Sequence, residues 1–141
     1  MDYKRRGSDI ALRLDTGEEI TEALAALAEA EGVPAAQISG IGALSEMEVS
    51  VYDLDKKRYS DRIYREPLEL ISLAGTVTER GGKPHVHLHA CAGGFDGKVY
   101  GGHLKRGIIS ATGEIVLRVL DVPVGRKIND ATGLWVFDFK D

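Results

Sequence analysis

The chain has 141 residues, 43% hydrophobic and 28% charged, with a formal net charge of −4, a balance that excludes disordered and fibrous classes and fits a globular protein. A strongly basic nucleic-acid-binding composition is absent, and the basic clusters at 4–6, 56–58, 105–106 and 126–127 read as solvated faces. One cysteine, Cys91, excludes an internal disulfide framework, and no apolar run forms a signal peptide or a membrane span, so the expectation is a cytoplasmic protein with no membrane contact.

No linker or repeat interrupts the sequence, so a single domain is expected over 1–141, with its core at about 8–139. Residues 8–15, SDIALRLD, alternate Ile10, Leu12 and Leu14 with less apolar neighbours, the pattern of a half-buried strand. In the next segment Thr16 and Glu19 stand at capping-box spacing. Ile20, Ala23, Leu24, Leu27 and Ala28 then recur at helical spacing, and Gly32 and Pro34 provide the stop. A helix is predicted over about 17–31. The glycines of SGIGAL, residues 39–44, fit a tight turn or a close backbone approach, because no strand-to-helix context makes them a nucleotide loop.

SEMEVSVYD, residues 45–53, places Met47, Val49 and Val51 on one face. Further strands are expected in KRYSDRIYRE, PLELISLAGTVTE, KPHVHLHACA, KVYGGHL, GEIVLRVLDV and GLWVFDF. Their short connections favour hairpins. The fold class is therefore α+β: a mostly antiparallel, curved or barrel-like sheet with one principal helix packed on it.

All four histidines lie in KPHVHLHACAGGFDGKVYGGHL, residues 83–104. Strand alternation puts His85, His87 and His89 on one face, with Val86, Leu88 and Ala90 on the other. A turn centred on Phe95 sets His87 opposite His103, whereas a turn centred on Asp96 sets His89 opposite His103. Both leave His87, His89 and His103 on one surface. If Gly81 and Gly82 form a two-residue turn, Arg80 pairs with Lys83, and His87 faces Thr76, His85 faces Thr78 and His89 faces Ala74. Three converging imidazoles match an open zinc site with three protein ligands, although another divalent transition metal would suit them too. His85, at the strand entrance beside Pro84, is the outlier, and Cys91 reads as packing.

PHVHLHA, the Gly/Asp turn and KVYGGHL resemble the core signature of the plants-and-prokaryotes-conserved (PPC) domain. GVPAAQISGIGAL and YREPLELISLAGTV resemble its earlier segments, so the likeness spans about 8–139. The resemblance implies an α+β fold, a homotrimer and a metal held by His87, His89 and His103. Prokaryotic members are often described as DNA-binding, but no Arg-Gly-Arg-Pro hook is present here. The three-histidine arrangement also resembles zinc enzymes such as acetolactate decarboxylase.

Two functions follow as expectations. One is a metal-binding homotrimer that meets a partner, DNA or a small ligand. The other is a zinc-dependent hydrolase or decarboxylase-like lyase acting on a small oxygen-rich substrate. For the second, Glu69, Glu79 and Glu114 are acid/base candidates only by lying on adjacent strands.

Overall fold

A computed structural model describes residues 1–139. Nine strands and one helix follow in the order β1 (Asp2–Arg6), β2 (Asp9–Asp15), α1 (Ile20–Ala30), β3 (Ala36–Asp53), β4 (Arg58–Tyr64), β5 (Leu68–Arg80), β6 (Lys83–Gly93), β7 (Val99–Val119), β8 (Val124–Asn129) and β9 (Leu134–Phe139). The architecture is α+β, with every strand pairing antiparallel. Seven strands run in the order β1-β2-β7-β6-β5-β3-β4, and an extra β7–β3 pairing closes part of the sheet on itself. The sheet is thus partly ringed rather than a barrel. β8 and β9 form a separate two-stranded hairpin. No helix among the described residues is long and apolar enough to cross a membrane.

Sequence periodicity explains the core. In β2, Ile10, Leu12 and Leu14 are buried and the residues between them exposed. In α1, Ile20, Leu24, Leu27 and Ala28 form the buried stripe, which packs against β6 and β7. On β6, Leu88, Ala90 and Ala92 join that core. The helix therefore covers the face of β6 that carries no histidine.

The helix starts later than its predicted position near 17, and Glu19 rather than Thr16 is its cap. The Glu19 carboxylate accepts from the Glu22 amide at 2.7 Å, while the Thr16 hydroxyl donates to the Ser110 carbonyl at 3.0 Å. The intervening backbone is committed to β7: the Gly17 amide donates to the Ile109 carbonyl at 2.8 Å, and the Ile109 amide to the Glu18 carbonyl at 3.0 Å. Helical turns cannot begin until those bonds are left behind.

Three strand expectations also change. KVYGGHL and GEIVLRVLDV join in one 21-residue strand, β7, which serves β2, β6 and β3 in turn. SGIGAL lies inside β3 rather than in a turn, and Gly40 and Gly42 let β7 approach closely. Met47 and Val49 are buried as expected, but Val51 is 63% exposed and Ser50 only 2%. β3 runs in unbroken register against β4, and the extra residue of its shift against β7 is Lys105, so Val49 and Val51 keep one face. The buried core beneath that face reaches Val49 and not Val51.

Candidate metal centre

Two turns set the histidine register. Gly81 and Gly82 both have positive φ, 61° and 80°, as the favoured two-residue hairpin turn requires, and Arg80 pairs with Lys83. Counting along β5 and β6 then gives Ala74 opposite His89, Thr76 opposite His87 and Thr78 opposite His85, as the sequence spacing implies. At the other end of β6 the turn centres on Asp96, and His89 stands opposite His103. The Asp96 carboxylate holds that turn by accepting from the Lys98 amide at 3.0 Å, the Lys98 ammonium at 2.8 Å and the Tyr100 hydroxyl at 3.1 Å. The register with His87 opposite His103 is therefore not adopted.

His87, His89 and His103 nonetheless converge. Their ring centroids are 5.1–5.7 Å apart, and one ring nitrogen from each lies within 4.8 Å of the others. A tetrahedral ion with metal–nitrogen bonds of about 2.0–2.1 Å separates its ligand atoms by about 3.3 Å, so small side-chain rotations close the gap. The donor set fits such an ion. His85 stays outside the cluster and Cys91, exposed two pairs beyond His89 and opposite Gly101, does not join it.

Electrostatics favour the neutral, ligating form of His87 and His103. Burial, helped by positive charge on His103, Arg126, His89 and His85, pulls the His87 pKa down to about 4. Burial also lowers the pKa of His103, with His89 and Lys105 adding to the effect. His85 is lowered by burial and by the nearby Arg126 and Arg80.

Neighbouring strands frame the cluster. The Tyr59 ring of β4 lies 5.5 Å from His103, and Ser50 of β3 pairs directly with His103. The buried Ser50 Oγ has no hydrogen-bond partner. The β8–β9 hairpin is fixed at its tip and middle on this side of the sheet. Near its tip the Tyr52 hydroxyl donates to the Thr132 carbonyl at 2.9 Å. Nearby, Arg80 stacks 3.8 Å over the Trp135 ring, and midway along the hairpin Arg126 Nε donates to Thr78 Oγ1 at 2.9 Å and Nη2 to Thr76 Oγ1 at 3.3 Å.

Arg126 is thus not one of the solvated charges that its GRK cluster suggests. It is half-buried, and burial draws its pKa below the ordinary guanidinium value. Only the weak alternation of VGRKIN, broken by glycine, hints at the strand that delivers it.

The carboxylate candidates do not assemble. Glu79 Oε1 accepts from the Gly82 amide at 2.6 Å, Glu69 pairs with Gly93, and Glu114 sits between β2 and β3. Among the described residues, no carboxylate belongs to the three-histidine cluster.

Comparison with known proteins places this geometry. A family model described as the Plants and Prokaryotes Conserved (PCC) domain matches residues 1–121. A crystal structure of a protein from Bacteroides thetaiotaomicron, provisionally described as DNA-binding, is similar with a TM-score of 0.94 and 30% identity, covering 98% of this chain and 96% of that one. The metal-containing protein of Archaeoglobus fulgidus has a TM-score of 0.86 and 35% identity, with coverages of 97% and 98%. The Bifunctional protein GlmU of Synechococcus sp. (strain JA-3-3Ab) is 32% identical over 125 residues, 86% of this chain. This chain spans only 19% and 16% of the length of the two curated relatives it matches.

Proposed function

The chain belongs to the Plants and Prokaryotes Conserved domain family, and on that premise we propose that it binds one divalent transition-metal ion, zinc foremost, through His87, His89 and His103. The observation that carries this reading is the approach of three ring nitrogens to within 4.8 Å on one sheet face. Similarity to a metal-containing archaeal protein over nearly the whole chain adds support. When bound, such an ion polarises the oxygen of a small ligand. The chain's own residues supply three ring nitrogens, a flanking aromatic ring at Tyr59 and the neighbouring hairpin. With no carboxylate of the described residues in the cluster to move a proton, metal-dependent ligand binding is the favoured reading over turnover as a zinc enzyme.

Metal analysis of protein purified without added metal tests the reading. About one ion per chain is expected, lost in His87→Ala and in His103→Ala; stoichiometric metal in both variants rejects the ligand assignment.

The working form is a homotrimer. Ile41, Ile71 and Val116 are exposed together on the outer sheet face beside Leu73, an apolar surface that self-association would cover. Light scattering coupled to size exclusion should give three times the chain mass, and a monomer at micromolar concentration rejects it. DNA is a second reading, favoured by the likeness to the Bacteroides protein. Duplex binding whose affinity falls steeply with added salt supports it. No binding at low salt removes it.

A further inference from the structure

Beside the three histidines, Arg126 holds a positive charge that no carboxylate among the described residues answers. Its Nε and Nη2 donate to the hydroxyls of Thr78 and Thr76 at 2.9 and 3.3 Å, its Nη1 reaches the Trp135 carbonyl at 3.4 Å, and its guanidinium lies 4.7 Å over the Phe137 ring. All of these partners are neutral. Thr76 stands directly opposite His87, so the guanidinium is held at the edge of the histidine cluster. Burying a cation among neutral groups is costly, and the planar guanidinium fork is suited to an approaching carboxylate.

Attachment narrows the choice of ligand. The hairpin that carries Arg126 is tied near its tip to β3 through Tyr52 and Thr132 and to β5 through Arg80 over Trp135, and farther back to β5 through Arg126 itself. A single arginine held by a short hairpin beside the cluster suits a small anion better than a nucleic-acid duplex.

We propose that Arg126, positioned by Thr76 and Thr78, is the anion-recognising residue of a site for a small organic acid bearing a carboxylate and an adjacent hydroxyl or carbonyl oxygen. The assignment rests on the three-histidine metal reading for the second oxygen, whereas the carboxylate belongs to Arg126. It gives the metal site a ligand class, 2-hydroxy or 2-oxo acids.

The test uses the whole chain loaded with cobalt(II), whose visible spectrum reports the metal's surroundings. Glycolate is the probe, and inorganic phosphate and ethylene glycol are the controls. In the wild type, glycolate should shift the spectrum, and ethylene glycol should not. Arg126→Gln should bind cobalt as the wild type does but glycolate about tenfold or more weakly, the value of a charge-assisted contact. Arg126→Lys should fall between them, because it keeps the charge and loses the fork.

Equal glycolate affinity in Arg126→Gln and wild type overturns the proposal, and so does loss of cobalt together with glycolate. Preference for phosphate overturns the carboxylate assignment. If the wild type takes up no cobalt, the metal reading fails by itself. Calorimetry of glycolate with the metal-free chain then decides the arginine site: an Arg126-dependent signal keeps it, and none overturns it.

Discussion

His87 has the most perturbed ring of the cluster, its pKa drawn from 6.5 to about 4 chiefly by burial. In the metal-free chain the folded form therefore resists a proton that the unfolded form accepts. Because the unfolded state binds more protons between those two values, stability falls as the pH drops from about 6.5 toward 4. His103 and His85 are shifted in the same direction and add to the slope. Urea denaturation of chelated protein across that window should show a falling midpoint; a flat one contradicts a neutral His87. Ser50 makes a second residue-scale prediction. Its hydroxyl is buried without a partner, so Ser50→Ala should leave the unfolding free energy unchanged or raise it by up to about 1 kcal/mol. A clear loss of stability in the metal-free protein would mean that the hydroxyl is bonded in solution.

At the scale of elements, the spacing of β5 and β6 is set by a missing side chain. A Cβ at Gly75 would overlap the His87 carbonyl oxygen, which is backbone and cannot yield. Gly75→Ala should therefore destabilise the protein by about 1–3 kcal/mol or more and weaken metal uptake together, as read by denaturation and metal titration. Pairing of these strands was legible in the sequence because a Gly-Gly turn leaves one natural register, and every partner of His85, His87 and His89 follows by counting. The helix stripe was legible for the same kind of reason, since Leu24 and Leu27 fix its buried side. The other turn, five residues long, left two registers open until the bonds to Asp96 chose one. Val51 misled because alternation assigns a residue to a face but does not say where the core beneath that face ends. Arg126 was hidden because a tertiary contact with two threonines 48 and 50 residues away leaves no local pattern.

Over the whole molecule, stability should be uneven. Strands β3, β5, β6 and β7 close on one another and share the buried core, whereas β8 and β9 pair only with each other and bury little beyond Val124. A lone hairpin is marginal in water, so its attachment depends on the Arg126, Tyr52 and Arg80 contacts. Amide hydrogen exchange should be markedly faster in β8 and β9 than in β6 and the adjoining half of β7, and equal protection would show the hairpin to be part of the core. The family model ends at residue 121, before Val124, so the strands that carry the histidines lie inside the shared region and the arginine lies beyond it. The proposed metal ligands and the proposed anion-binding residue are thereby separable: exchanging the trailing hairpin would change what the arginine meets and leave the three histidines in place.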